Sequence, residues 1–365
     1  MKFNIVRSVF LEGLQKVQNV VATKPAMQIL QNALLTADEK ENRLTITTTD
    51  MDISERCAVE CEIESPGSTT LPIRRLCSII SGLSGEKITV DVDDENNVAT
   101  VQCGSFFSKL NGMSMRDFPV NPESSDSQAS YSMDQGVFKE MLRMTFYAAA
   151  LDDTRKALNG VLLSFFDNKL TMVATDGRRM ALVEHEVELP PLDSPVEMIL
   201  PIKAVSELIR ILASDGEMKI VNQKNQAVFD FGTSRLCTKL VDGKYPNFRQ
   251  VIPGGYTERV DIEREKLLGA IRVVSLVADA VIRLTFSANQ LTISTASTDV
   301  GEARDVIPIK YAGKEITLSF NPAFLIDPLK VISDDDIYFE LEDGSRPALI
   351  KCSVPFLYLL MPLRG

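Results

Sequence analysis

Four sequence markers recur three times along the chain at a spacing of about 120 to 130 residues, which constrains it to three copies of one folding module. The first marker is a strand phrase, Leu44-Thr45-Ile46, Leu170-Thr171-Met172 and Leu291-Thr292-Ile293. Each copy is followed by a Thr-Asp pair, at Thr49-Asp50, Thr175-Asp176 and Thr298-Asp299. The second is a proline at 72, 201 and 322, each followed by apolar residues at helical spacing. These are Ile73, Leu76, Ile80 and Leu83; then Val205, Leu208 and Leu212; then Leu325, Leu329 and Ile332. Proline suits a first helical turn, where its missing N–H would have no partner anyway. The third is a helical stripe at the head of each unit: Phe10, Leu14, Val17, Val21; Phe138, Leu142, Thr145, Ala149; Leu267, Ile271, Val274, Ala278. The fourth is a closing proline after an apolar or aromatic residue, at Phe118-Pro119, Tyr245-Pro246 and Met361-Pro362.

Each unit therefore holds two amphipathic helices, with short alternating segments such as 87–92 and 97–101 that read as half-buried strands. The fold class expected is α+β, three repeated domains of two helices plus antiparallel sheets. The polar, serine-rich stretch 121–132 reads as a linker, and Pro253-Gly254-Gly255 marks a second boundary. The domains are placed at 1–124, 130–253 and 256–365.

The chain has 365 residues and a net charge of −11, which argues against a nucleic-acid binder if only the sum is considered. The distribution is different. The six helical stretches together carry +5, leaving −16 for the remainder. If the helices share one face, that face attracts phosphate without reading sequence, and the acidic exterior repels stray nucleic acid. Basic residues on exposed helices also occur for solubility alone, so charge leaves both readings open.

Catalytic signals are weak. Six cysteines stand without any CxxC pair, and the one histidine, His185, sits between Glu184 and Glu186. A zinc site lacks ligands, and the cysteines read as reduced thiols of a cytoplasmic protein. No phosphate-binding loop, GxSxG or HExxH pattern is present. The acidic runs 152–153 and 334–336 admit Mg²⁺ in principle, but such carboxylates more often serve loops and helix starts. The N-terminus does not read as a signal peptide, and no stretch approaches a membrane span.

Longer phrases are more specific. They include Pro25-Ala26-Met27-Gln28-Ile29-Leu30-Gln31-Asn32, Gly67-Ser68-Thr69-Thr70-Leu71-Pro72, Arg155-Lys156-Ala157-Leu158-Asn159-Gly160 and Val173-Ala174-Thr175-Asp176-Gly177-Arg178-Arg179-Met180-Ala181. To these add Lys239-Leu240-Val241-Asp242-Gly243-Lys244-Tyr245-Pro246 and the ending Leu360-Met361-Pro362-Leu363-Arg364. Along essentially its full length the sequence resembles the bacterial DNA polymerase III β subunit, the sliding clamp. The resemblance implies three clamp-fold domains per chain and a head-to-tail homodimeric ring around double-stranded DNA. It also implies a non-catalytic role with no cofactor or metal, tethering polymerase, clamp loader and repair partners.

The resemblance further implies a partner-peptide pocket at Leu158, Thr175, Gly177, Arg179, Met180, Pro246, Val251, Phe324, Leu359, Leu360, Met361, Pro362, Leu363 and Arg364. Such a pocket is an apolar groove for the anchors of an extended peptide, with methionines as an adaptable wall. Read without the resemblance, the same residues are ordinary core, and 357–363 a last strand. The implied DNA-facing positions are Lys24, Arg74 and Lys203, with Arg7, Arg75, Lys139, Arg143 and Arg210 on the same helices. Phe107 and Leu276 match apolar positions at the seam between subunits. Arg178, Gln250 and Gly365 depart from the commoner family residues and bear on the pocket's peptide preference. A repeat scaffold that only gathers peptides, or a metal-dependent enzyme using the acidic pairs, are the rival readings.

Overall fold

The computed structural model describes residues 1–21, 25–119, 127–151, 154–256, 258–297, 300–342 and 346–363. The first repeat runs β1 (Lys2–Val6), α1 (Arg7–Val17), β2 (Asn32–Asp38), β3 (Arg43–Thr49), β4 (Ile53–Glu60), β5 (Glu62–Ser65), β6 (Gly67–Pro72), α2 (Ile73–Gly82), β7 (Lys87–Asp93), β8 (Val98–Cys103) and β9 (Phe106–Asn111). The second runs β10 (Ser127–Asp134), α3 (Gln135–Thr145), β11 (Gly160–Phe166), β12 (Lys169–Thr175), β13 (Arg179–Glu186), β14 (Val196–Pro201), α4 (Ile202–Ile211), β15 (Glu217–Gln223), β16 (Gln226–Asp230) and β17 (Ser234–Lys239). The third runs β18 (Glu258–Glu263), α5 (Arg264–Ser275), β19 (Ile282–Ser287), β20 (Gln290–Ser297), β21 (Gly301–Pro308), β22 (Ile316–Phe320), α6 (Pro322–Val331), β23 (Asp336–Leu341), β24 (Ala348–Lys351) and β25 (Phe356–Leu360). The second and third repeats have the same order of elements, and the first adds only β5.

The helices form where the apolar stripes fall. Phe10, Leu14 and Val17 of α1, Phe138 and Leu142 of α3, and Leu267 and Ile271 of α5 are buried, one face each. The markers Val21 and Ala149 are buried but lie past the ends of their helices. The prolines act in two ways. Pro322 is the first residue of α6, where the Asn321 side chain accepts from Ala323 N at 2.9 Å as an N-cap. Pro72 and Pro201 are instead the last residues of the strands leading into α2 and α4.

All strand pairings are antiparallel and form four sheets. The chain packs as two compact units, one of residues 1–136 with 206–240, the other of 137–205 with 241–365. The first unit holds a five-stranded sheet, β5-β1-β7-β8-β9, and an eight-stranded sheet, β10-β15-β16-β17-β4-β3-β2-β6. In the latter, β4 of the first repeat pairs with β17 of the second, with Arg56 opposite Arg235. The second unit holds an eight-stranded sheet, β14-β11-β12-β13-β25-β24-β23-β18, and a four-stranded sheet, β21-β20-β19-β22. There β13 pairs with β25, so the second and third repeats are joined as the first and second are.

Residues 127–132, expected as linker, belong to strand β10, which pairs with β15 from Ser127 to Asp134. The strand closes a sheet edge: over residues 129–134 Tyr131 is buried, Ala129 and Met133 are half-buried, and Ser130 and Ser132 between them face outward. Short polar residues on the outer side concealed the two-residue period. Residues 120–126 lie outside the described residues.

The interior of the first unit is apolar around Phe3, Phe10, Leu14, Leu35, Ile46, Leu76 and Val90. Phe3 and Phe10 meet edge to face at 6.0 Å, a favoured arrangement of ring quadrupoles. One ionisable side chain of this unit is fully enclosed: Glu55 on β4 has a side-chain exposure of 0%. Desolvation pushes its carboxyl up to about 8, opposed by the nearby Arg210 and Lys16 and assisted by Glu207.

Candidate functional site

The turn between β12 and β13 is built from the Thr-Asp-Gly-Arg-Arg phrase. Thr175 Oγ1 donates to Arg179 O at 2.6 Å and accepts from Gly177 N at 3.1 Å. Asp176 Oδ1 accepts from the N–H groups of Arg178 and Arg179 at 2.9 and 3.0 Å. Gly177 has φ +85°, a conformation that costs glycine nothing and most residues more than 1 kcal/mol. The residue types of the phrase are those this tight turn demands.

Beside the turn lies an apolar floor. Leu158, Met180 and Leu359 pack with Tyr245, Phe248 and Ile199 in one cluster. The β13–β25 ladder sets Met180 opposite Leu359. Tyr245 donates to Val173 O at 3.3 Å, and burial raises its phenol far above the ordinary range. The C-terminal segment continues past β25, with Met361 N donating to Arg178 O at 3.0 Å and Leu363 N to Ser319 O at 2.8 Å. Three large apolar side chains remain open to solvent here, Val251 at 55%, Met361 at 43% and Leu363 at 39%. A shielded floor with adaptable apolar residues exposed at its border is the chemistry of a peptide-anchor site.

Of the residues expected to line a pocket, Leu158, Met180 and Leu359 are brought into that floor, and Thr175 and Gly177 form the turn beside it. Pro246 is exposed next to Tyr245, and Pro362 is half-buried in the final segment. Leu360 is buried completely and pairs with Arg179 and Ala348 in the ladder. Arg364 lies outside the described residues. Arg179 is committed to structure. Its Nε donates to Asp176 at 3.1 Å, its Nη1 to Asp327 at 2.6 Å and its Nη2 to Tyr147 O at 2.6 Å. Its guanidinium also stacks 4.2 Å from the ring centre of Phe324. Tyr147, Asp327 and Tyr358 were missed from the sequence. Each lies in a phrase without a motif, and only the fold brings them to Arg179.

The basic positions fall in both units. In the first, Arg74 and Arg75 are exposed on α2, and Arg7 opens α1. Arg74 donates to Val21 O at 2.8 Å, and Arg210 donates to Gln15 O at 3.1 Å and also to Lys16 O. Two arginines thus meet the carbonyl end of α1 and its following turn, where cations are favoured. Arg210 also bonds Glu207 at 2.8 Å and stands 3.5 Å from Glu55, so its charge is used within the unit. In the second unit, Lys203 is exposed, Lys139 is half-buried, and Arg143 pairs with Glu140 at 3.1 Å. Lys24 lies outside the described residues.

Phe107 is 56% exposed on β9, the edge strand of the five-stranded sheet. Leu276 is 82% exposed at the end of α5, with Val273 beside it at 63%.

His185 is exposed on β13, opposite Leu170. Asp334 serves a turn, accepting from Ser353 N at 2.6 Å through its carboxylate and from Arg264 through its carbonyl. Residues 152–153 lie outside the described residues. Among the described residues, no helix is long and apolar enough to cross a membrane.

Comparison with known proteins gives three consecutive matches to the DNA polymerase III beta subunit: its N-terminal domain over residues 1–122, its central domain over 132–247 and its C-terminal domain over 249–364. The chain is 32% identical to the beta sliding clamp of Chlamydia trachomatis, covering 100% of this chain and 87% of that protein. It is 30% identical to the beta sliding clamp of Pseudomonas aeruginosa, covering 100% of both. The crystal structure of the Pseudomonas aeruginosa DnaN sliding clamp bound to griselimycin superposes with a TM-score of 0.95, at 30% identity over the whole of both chains. The Bacillus subtilis DNA polymerase sliding clamp superposes at 0.94, with 26% identity over 100% of this chain and 99% of that one. With three family domains matched in order over nearly every residue, the chain belongs to the DNA polymerase III β subunit family.

Proposed function

We infer that this chain is the sliding clamp of a bacterial replicative DNA polymerase, the non-catalytic subunit that confers processivity. The observation that carries the reading is the threefold order of elements, matched from end to end by the three family domains. A clamp acts by topology. It stays on DNA because it encloses the duplex, so its contacts with phosphate need only be weak and independent of sequence.

The finer reading has four parts. The domains are residues 1–124, 130–253 and 256–365. Two chains join head to tail, and the two smaller sheets supply the means: β9 and β21 are edge strands with one open side each. An open edge is a template for pairing with another chain, and Phe107 and Leu276 are the apolar residues we assign to that seam. Duplex DNA meets Arg7, Lys24, Arg74, Arg75, Lys139, Arg143 and Lys203, while Arg210 supports the face through α1. Polymerase, clamp loader and repair proteins dock hydrophobic peptide anchors over Leu158, Met180 and Leu359. Met361, Pro362, Leu363 and Arg364 form one side of the groove, with Val251 and Pro246 at its border. The setting is the cytoplasm.

The test is loading onto nicked circular DNA by a clamp loader, followed by linearisation. A clamp is retained on the circle and lost from the open ends. Equal loss from circle and line would overturn the reading and leave a peptide-gathering scaffold.

A further inference from the structure

The first unit carries a second surface with the character of a binding site, unrelated to the apolar floor of the other unit. A trough of about 670 Å³ runs across the face of its eight-stranded sheet, over β2, β3, β4, β15, β16 and β17. Leu34, Val221, Val228 and Phe118 give it an apolar bed, and Arg43, Arg56 and Arg235 stand along it.

The arginines are the unusual feature. Arg56 and Arg235 are direct cross-strand partners in the β4–β17 ladder. Like charges placed opposite each other on one sheet face repel and destabilise the pair. Arg235 is answered by Asp230, with Nη2 at 2.8 Å and Nε at 3.1 Å. The Arg56 side chain has no hydrogen bond or ion pair among the described residues. Arg43 is in the same position. Its cross-strand neighbours are Asp38 and Glu60: the Asp38 carboxylate is turned into the hairpin, accepting from Lys40 N at 2.9 Å and Glu41 N at 3.4 Å, and Glu60 makes no ion pair with Arg43 among the described residues. A chain of net charge −11 thus keeps two exposed guanidinium groups, without ion pairs among the described residues, on the adjacent strands β3 and β4, flanked by Leu34 on β2 and Val228 on β16.

We propose that this trough docks an acidic, extended segment of a partner protein, whose carboxylates pair with Arg43 and Arg56 while its apolar residues rest on Leu34 and Val228 to either side. Guanidinium groups bind carboxylates in paired, charge-assisted geometry, and apolar contacts on either flank fix the ligand's register. A nucleic-acid strand fits less well. Its uniform charge would run onto Asp38, Glu41 and Asp230, and binding of single strands relies on accessible aromatic faces, whereas Phe118 is only 4% exposed.

Cys237 provides a local reporter. It lines the trough, and it alone of the six cysteines is not buried. The experiment uses the full-length protein and a short, end-blocked, fluorescein-labelled peptide alternating glutamate with leucine. Binding is read by anisotropy and by the rate at which a maleimide modifies Cys237, located by mass spectrometry. The expected result is saturable binding that slows modification of Cys237 and weakens as salt is added. The Arg43→Glu/Arg56→Glu protein should bind at least about tenfold more weakly, the equivalent of one charge-assisted contact. The Arg43→Gln/Arg56→Gln protein should show the same direction and replaces the first pair if its melting temperature falls. A peptide with lysine in place of glutamate should leave Cys237 unprotected. Unchanged Cys237 reactivity at saturating peptide, equal affinity in the glutamine pair, or stronger protection by oligothymidylate than by the peptide would each overturn the proposal.

Discussion

Arg179 ties the β12–β13 turn to helix α6, with its Nη1 2.6 Å from Asp327 Oδ2 and its guanidinium plane stacked on Phe324 one helical turn earlier. The Arg179 side chain is only 10% exposed and so is well shielded from water, whereas Asp327 is 31% exposed. Tyr358, on β25, donates to Phe324 O at 2.7 Å and draws the last strand into the same cluster. Tyr147 supplies a carbonyl to Arg179 and lies within the cluster, its phenol raised well above the ordinary range by burial.

Asp327→Ala should therefore cost about 1–3 kcal/mol of stability by leaving a shielded guanidinium short of its partner. It should also weaken a clamp-binding hydrophobic peptide, because Phe324 loses its support. Denaturant unfolding and calorimetric titration measure the two effects. A stability change within about 0.5 kcal/mol, the ordinary scatter of surface substitutions, would show that the pair is dispensable.

Glu55 predicts a pH dependence with a defined sign. Its carboxyl is raised to about 8 in the folded chain, against an ordinary value of 4.5. Between these values the folded state holds a proton that the unfolded state has released, so stability falls as pH rises. The stabilisation is fully present below pH 4.5 and lost as pH passes through about 8. Melting temperatures from pH 5 to 9 should decline in the wild type, with Arg210, Lys16 and Glu207 as the charges facing the group. Glu55→Gln, uncharged throughout, should flatten the decline and be the more stable protein at pH 9. Parallel pH profiles for the two proteins would refute this account.

Gly160 sits where β11 meets β14 with no room for a side chain. A Cβ there would stand 2.5 Å from Leu200 O and 2.8 Å from Ile199 Cγ2. Gly160→Ala should destabilise the protein by about 1–3 kcal/mol through strand displacement. It should also loosen the floor, since Ile199 packs there with Leu158. Wild-type melting behaviour would mean that the ladder yields more easily than this geometry implies.

Leu276 makes the seam testable apart from folding. At 82% exposure its side chain contributes little to the fold of a single chain. Leu276→Asp should shift sedimentation from dimer to monomer while leaving far-UV circular dichroism unchanged, and Phe107→Asp should do the same from the other edge. A variant that sediments as wild type places the seam elsewhere.

The three helix pairs were legible because each stripe is long and its buried residues recur at helical spacing, as Phe10, Leu14 and Val17 show. The strand β10 was hidden by its place at a sheet edge, where Ala129 and Met133 are only half-buried on either side of Tyr131 and short polar residues stand between. At the candidate site, Thr175 and Gly177 announce their turn through residue type. Arg179 was read as part of a pocket, but its partners Tyr147 and Asp327 stand 32 and 148 residues away, and no local pattern points to either. The trough bearing Arg56 was invisible for the same reason: the opposition of Arg56 and Arg235 exists only once β4 and β17 pair.

That pairing bears on how such a chain came about. Strands β4 and β17, and again β13 and β25, join consecutive repeats through main-chain hydrogen bonds, which every residue except proline supplies. A gene duplicated twice could therefore keep its joints while nearly all of its side chains drifted. Ancestral likeness then survives in scattered phrases, among them the strand segment Leu44-Thr45-Ile46 and its counterparts Leu170-Thr171-Met172 and Leu291-Thr292-Ile293.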